Sequence, residues 1–357
     1  IVVYHRSFGN WSLNRIANAD SATKTISGAV ILSLVDSSPL PFSLDTKLSE
    51  YIPAFSGLKA NITIRQAFSH TSGLVESPAV SNASITLQQA AAQIAGGFMT
   101  FVPGARFDYG GTSMHAAGAV AELAGQNPWN FLFSERIKNT VGMPGTVYTL
   151  TSPNNPRIGG GCESNATDFA RFMEMLRRKG VALNGNRVLS ESAVNAMFTR
   201  QTANPIPIVN TPIQVSSTDG ADYGVGVWLD KRDPSGKLIG AIAAGARGFA
   251  AWIDFDDGMV GVFATDVTRS SEIQTLYDLI RDAAQIAVRN PRCPGDLDYN
   301  GVVLDSDFAR FVRDYDLADC ADPDMPGGCP ADLNRDAFVD DADFAIFVAA
   351  YDRLLCP

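Results

Sequence analysis

The sequence predicts an α/β (α+β) chain: an antiparallel sheet joined to a helical region, then a small all-α module. Three observations predict it. Strand-like text is concentrated between Tyr223 and Asp266, with one more strand at the start of the chain and helical periodicity between. From Cys293 onward a loop-plus-helix unit occurs twice. The charge divides at the same place: the chain of 357 residues carries a net −10, and the segment from Cys293 holds 15 Asp, no Glu and 4 Arg. A chain of this length suits one large domain and one small one.

Taken in order, Ile1 to Gly9 reads as a strand and a turn, with neither a Met nor a basic-then-apolar leader, as in a mature chain or a fragment. Ile26 to Val35 is an apolar helical run that Asp20 or Ser21 would cap. Asp168 to Leu176 places apolar residues at helical spacing. Gly224–Trp228, Phe249–Asp254 and Met259–Ala264 read as antiparallel strands, the last two joined by a turn at Asp256-Asp257-Gly258. Glu272 to Val288 reads as a closing helix, and composition changes at Arg289–Arg292. The domains are therefore expected at 1–290 and 293–357. The acidic balance argues against nucleic-acid binding, and no apolar run is long enough for a membrane span.

In the tail, Cys293–Cys320 and Cys329–Cys356 are matched units of 28 residues, the second starting 36 residues after the first. Phe308 and Phe344, Phe311 and Phe347, and Tyr315 and Tyr351 share that offset. Each unit holds oxygen side chains at the spacing of a calcium loop. The first offers Asp296, Asp298, Asn300 and Asp307 with the Val302 carbonyl; the second offers Asp332, Asn334, Asp336, Asp340 and Asp343 with the Phe338 carbonyl. Leu304 cannot ligate at the ninth position, where water would substitute, and Ala337 stands where a glycine is usual. Two structural Ca²⁺ are expected. The four tail cysteines allow three pairings, of which the matched spacing favours Cys293–Cys320 and Cys329–Cys356. Such bonds and ions point outside a reducing cytosol, to an extracellular, periplasmic or cell-surface location. The pattern resembles a type I dockerin. That family packs two loop-helix units around Ca²⁺, and its cellulosomal members bind a cohesin. Here Asp305-Ser306 and Asp341-Ala342 replace the usual Ser-Thr, so the resemblance implies a cohesin-like or cell-surface partner without a cellulosomal signature.

The large domain lacks His-Glu-x-x-His, Gly-x-Ser-x-Gly and the phosphate-binding Gly-x-x-x-x-Gly-Lys, and has three histidines: His5, His70 and His115. Ser113 and His115 point apart on a helix and are set aside as a pair. What remains is Ser21-Ala22-Thr23-Lys24. At i, i+3 a lysine amine reaches a serine hydroxyl, and a desolvated lysine can serve as the base that hydroxyl needs. By itself the pattern equally describes a capped helix with a surface lysine.

Further motifs decide between these readings: Ile64-Arg65-Gln66-Ala67-Phe68-Ser69-His70-Thr71-Ser72-Gly73-Leu74, and Pro103-Gly104-Ala105-Arg106-Phe107-Asp108-Tyr109. With them the sequence resembles the serine β-lactamase-related family, which includes class C β-lactamases, penicillin-binding D-alanyl-D-alanine carboxypeptidases and family VIII carboxylesterases. The resemblance runs from residue 1 to about 288 and implies a sandwich with its site between sheet and helices. It makes Ser21 the nucleophile, Lys24 its partner base and Tyr109 a proton carrier, with either of the last two as the base. It also places an oxyanion hole at the N–H of Ser21 and of Ala246, after Gly245. The helix that relatives carry before the first strand is missing, as in a truncated start.

The second motif reads Tyr109-Gly110-Gly111, with Gly111 where relatives carry Asn or Ser, and the third reads Ala243-Ala244-Gly245, without its charged or aromatic residue. Both losses remove groups that hold a peptide or penicillin, so small esters are favoured. The alternatives are a D-amino-acid peptidase or β-lactamase, and an inactive ligand-binding scaffold tethered by the tail. His70 is read as structural and outside the nucleophile cluster, Gly159-Gly160-Gly161 as a turn bordering the cleft, and Cys162 as a small buried residue.

Overall fold

The computed structural model describes residues 5–212, 221–267, 276–284, 294–298, 302–326, 329–334 and 336–351. Two compact units emerge, Ile1–Tyr277 and Asp278–Pro357, divided within a helix at 276–284. The expected boundary at 289–292 lies outside the described residues.

The larger unit is organised around α1 (Thr23–Asp36), which is buried from Thr23 to Leu34. A helix enclosed on all sides must satisfy its polar side chains internally, and α1 does so. The Thr23 hydroxyl accepts from the Cys162 N–H (3.1 Å), Thr25 donates to Gly226 O (2.9 Å) and Ser27 donates to Ile158 O (2.6 Å). The other helices include α2 (Ile64–Phe68) and α3 (Leu87–Gly96), which pack on α4 (Thr112–Gly125), and α5 (Ala166–Arg177) and α6 (Glu191–Met197); α4 and α6 pack directly on α1. Thr63 and Thr86 cap α2 and α3 by accepting the N–H of Gln66 and Gln89, whose side chains bond back to the cap residue.

The main sheet is a meander of β1 (Trp228–Arg232), β2 (Leu238–Ala244), β3 (Ala250–Asp254) and β4 (Met259–Phe263), each antiparallel to the next. Its β3–β4 edge packs on α5, where Phe169 meets Phe249 at 5.0 Å between ring centroids. Two expectations change here. Gly224–Val227 precedes the sheet rather than entering it, because Gly226 takes φ +76° and donates to Phe68 O. The strand at Leu238–Ala244 carried no clear alternation and was missed. Of the expected first strand, 1–4 lie outside the described residues and 5–9 form none. Of the closing helix, 276–284 is helical and the rest lies outside them.

In the smaller unit, α7 (Asp305–Leu317) and α8 (Asp341–Tyr351) follow the two loops. Leu297, Val303, Phe311, Val339 and Phe347 form its core. The repeats exchange equivalent contacts: Phe308 meets Phe347 and Phe344 meets Phe311, while Tyr315 donates to Asp341 and Tyr351 to Asp305. Each tyrosine near one helix C-terminus thus reaches the first residue of the other helix, so the helices run antiparallel about an approximate two-fold axis.

The cysteine pairing differs from the favoured one. Cys320 bonds Cys329, nine residues on, across the connection between the repeats. The reason is the strand-like contact of Asp319 with Phe338 and the bond from the Cys320 N–H to Ala337 O. These bring the end of the first repeat beside the second loop, so the Cys320 and Cys329 Cα atoms lie 5.4 Å apart. Cys293 and Cys356 lie outside the described residues.

Candidate active site and acidic loops

Residues Asp20–Ala22 form a single 3₁₀ turn that leads into α1 and carries Ser21, half-buried, at its entrance. Asp20 sits at φ +46°, in the left-handed region, which turns the chain sharply before the serine. Neither Asp20 nor Ser21 caps the helix by its side chain, contrary to expectation. Asp20 is held elsewhere: its carboxylate accepts the Arg247 N–H at 3.2 Å and lies 3.5 Å from the Arg247 Nε. Burial raises the Asp20 pKa and the Arg247 charge opposes that rise.

One turn along α1, Lys24 is 3% exposed. Its Nζ donates to Ser21 Oγ at 3.0 Å and to Gly159 O at 2.6 Å. The same Nζ stands over the Tyr109 ring, 4.6 Å from its centroid. The contact is with the ring face; among the described residues no hydrogen bond joins Nζ to the phenol oxygen. Tyr109 stacks on Trp228 (5.5 Å, 18° between planes) and packs against His70 (4.4 Å) and Tyr223 (6.4 Å). Ser21 and Lys24, one helical turn apart, are thus joined by Tyr109, which is distant in sequence.

The remaining expected positions fall nearby. Gly159 lies against Gly111, since a Cβ on Gly159 would sit 3.1 Å from the Gly111 Cα and 3.6 Å from Lys24 Nζ. A Cβ on Gly111 would meet nothing within 4 Å, so the place of the absent second-motif side chain is open space beside the lysine. Gly245 ends β2 directly beneath the serine turn: a Cβ there would stand 2.3 Å from Ala19 O, a distance only glycine allows. Ala246 follows, exposed, in the turn that Gly248 closes by donating to Gly245 O.

Ser113 donates to Ala67 O and His115 bonds Asn155, so neither joins the cluster. Cys162 is buried and unpaired, and burial pushes its thiol pKa up. Two residues beside the cluster escaped sequence reading. Arg247 carries no signal, because its contact with Asp20 spans 227 residues. His70 was placed outside the cluster, and its ring lies against Tyr109.

In the smaller unit, carboxylate oxygens of Asp296, Asp298 and Asp307 lie within 4.8 Å of one another, as do those of Asp332, Asp336 and Asp343. Asp307 and Asp343 are fully buried. Asp307 accepts the N–H of Leu297, Asp298 and Leu304, and Asp343 accepts those of Leu333, Asn334 and Asp340. Asp340 lies outside the cluster and uses one oxygen to accept the Ala342 N–H at the start of α8. Asn300 lies outside the described residues. Convergent hard oxygen donors of like charge suit Ca²⁺ by chemistry and by ligand type.

With this geometry in hand, the comparisons identify the class. The β-lactamase family profile matches residues 2–285, and the chain belongs to that family. It is similar to a Bacteroides dorei DSM 17855 protein assigned to the β-lactamases: 26% identity over 80% of this chain and 90% of that one, TM-score 0.70. It is also similar to a family VIII carboxylesterase (17%, covering 72% and 79%, TM-score 0.58) and a penicillin-binding protein from Bacillus halodurans (18%, 75% and 87%, 0.58). These last two speak for the fold alone. No curated protein matches. The larger unit therefore has the fold of the serine β-lactamase-type hydrolases. Among the described residues no helix is long and apolar enough to cross a membrane.

Proposed function

We propose that the chain hydrolyses small esters through an acyl-enzyme on Ser21. The observation that carries this is the 3.0 Å bond between Lys24 Nζ and Ser21 Oγ at the entrance of a buried helix, with Tyr109 against the same Nζ. Ser21 Oγ attacks the carbonyl carbon, and its proton passes to the Lys24–Tyr109 pair. The N–H groups of Ser21 and Ala246 hold the oxyanion, and Gly245 keeps the second close to the serine turn. The ester C–O bond then breaks and the alcohol leaves with the proton. Water, activated by the same pair, releases the acid and restores Ser21. The open space at Gly111 supports an ester, which needs fewer fixed contacts than a peptide or a β-lactam.

The acidic loops are read as two structural Ca²⁺ sites. Asp296, Asp298, Asn300, Asp307 and the Val302 carbonyl would hold one ion, and Asp332, Asn334, Asp336, Asp343 and the Phe338 carbonyl the other, with the second Asp340 oxygen at its edge. The ion would supply positive charge among converging carboxylates. The exposed Phe308, Val312, Phe344 and Val348 support attachment to a protein or cell-surface partner, since Asp305 and Asp341 are occupied within the unit. The Cys320–Cys329 bond supports a location outside the reducing cytosol.

The test is intact mass after fluorophosphonate treatment of the full chain, beside Ser21→Ala. One adduct, absent in the variant, together with p-nitrophenyl acetate turnover, is the expected result. Stoichiometric acylation by penicillin would move the reading to a β-lactamase or D-amino-acid peptidase. No adduct on folded protein would leave the binding scaffold.

A further inference from the structure

His70 follows α2 in a backbone conformation that few residues tolerate, φ +60°. Three contacts tie it to the strand-and-turn segment that carries Tyr109. Its carbonyl accepts the Asp108 N–H at 2.8 Å. Its Nδ1 accepts the Gly110 N–H at 3.3 Å. Its ring lies 4.4 Å from the Tyr109 ring. The residue before Tyr109 and the residue after it are thus both bonded to His70, and the side chain between them packs on it.

The imidazole is 1% exposed. A ring that accepts at Nδ1 carries its proton on Nε2 when neutral, and Nε2 is buried with no partner among the described residues. An unpaired buried N–H costs stability, so packing alone does not account for an imidazole here; a phenyl ring would fill the space without that cost. What the imidazole adds over phenyl is the Nδ1 acceptor for Gly110. Burial, with the Lys24 charge as a smaller cause, holds the His70 pKa well below its usual value, which keeps that acceptor in place.

We propose that His70 is a positioning residue of the hydrolytic site: through Nδ1 and Gly110 it fixes the turn that sets the Tyr109 ring against Lys24. The proposal rests on Tyr109 taking part in proton transfer, and the experiment separates the two.

Turnover of p-nitrophenyl acetate is measured for the full chain, His70→Phe, His70→Asn, Tyr109→Phe and the double variant His70→Phe/Tyr109→Phe, with thermal melts as a folding control. Tyr109→Phe lowers kcat about 100-fold. His70→Phe, which keeps a ring and removes the acceptor, lowers kcat about 10-fold or more with KM within about threefold. His70→Asn restores most of that loss, because its Oδ1 replaces Nδ1 and asparagine tolerates positive φ. The double variant is no slower than Tyr109→Phe, since a residue acting only through the tyrosine has nothing left to position. Should His70→Phe not fold, His70→Gln takes its place, its amide reaching the Nε2 position and not that of Nδ1. A normal kcat in the acceptor-free variant overturns the proposal, as does a double variant in which the two losses multiply. If Tyr109→Phe alone is fully active, the tyrosine's role fails and His70's with it, while fluorophosphonate labelling reports separately on Ser21.

Discussion

His70 and His115 in the larger unit and Asp307 and Asp343 in the smaller one are all buried titratable groups, yet they are accommodated in opposite ways. Both histidines are buried, and desolvation holds their pKa down, well below 6.5 for His70 and at about 4 for His115. Each of the two aspartates instead accepts three backbone N–H bonds and joins two further carboxylates. The larger unit keeps its buried histidines neutral and pairs buried charge such as Asp222 with Arg232. The smaller one has little apolar surface to bury and is organised around charge. Their responses to metal and to acid should differ accordingly.

The largest expected effect breaks the comparison most directly. Asp343→Ala leaves three partly buried backbone N–H donors without their acceptor and removes the fully buried carboxylate of the second loop, costing the smaller unit about 3 kcal/mol. Calorimetry of the full chain should show its transition lost or shifted far down, with the larger unit's transition unmoved. EGTA should shift the same transition in the wild type. A tail transition indifferent to both would remove the case for calcium.

Acid sharpens the other side. His115 has a folded pKa of about 4 against 6.5. Above 6.5 it is neutral in both states and contributes nothing. Between 6.5 and 4 the unfolded chain binds the proton and the folded chain does not, so stability falls by roughly 3 kcal/mol over that window. His115→Gln, which can keep the bond to Asn155, should lose this part of the pH dependence in urea melts of the larger unit. Equal slopes for variant and wild type would show that the ring is not held neutral.

The smallest effect tests the covalent link. Closing the Cys320–Cys329 loop stabilises the smaller unit by roughly 2.5 kcal/mol in the chain-entropy model. Cys320→Ser should lower its transition by that amount, and non-reducing peptide mapping should recover the two cysteines joined.

Much of the site was legible because its centre is local. Ser21 and Lys24 lie one turn apart on a helix whose apolar run is plain in the text, and Tyr109 came with a motif. Gly245 was legible as the glycine retained in the third motif, and the structure shows that a Cβ there would meet Ala19 O. What could not be read depended on contacts distant in sequence. Arg247 meets Asp20 only because β2 ends beneath the serine turn. His70 meets Gly110 only because α2 and the Tyr109 turn fold against each other. In the tail, the repeat register revealed both loops but misled the cysteine pairing: equal spacing suggests that each unit closes on itself, whereas the chain brings the end of one against the start of the next.

The Cys320–Cys329 bond has a consequence for how the chain would respond to proteases. The residues it spans include Ala321, Pro323 and Asp324, all exposed, and exposed connections are where proteases cut first. A cut there severs the peptide backbone but frees neither fragment, because the sulfur bridge spans the wound. The hydrolase would remain attached to whatever its tail holds, and only a reducing gel would reveal that the chain had been nicked.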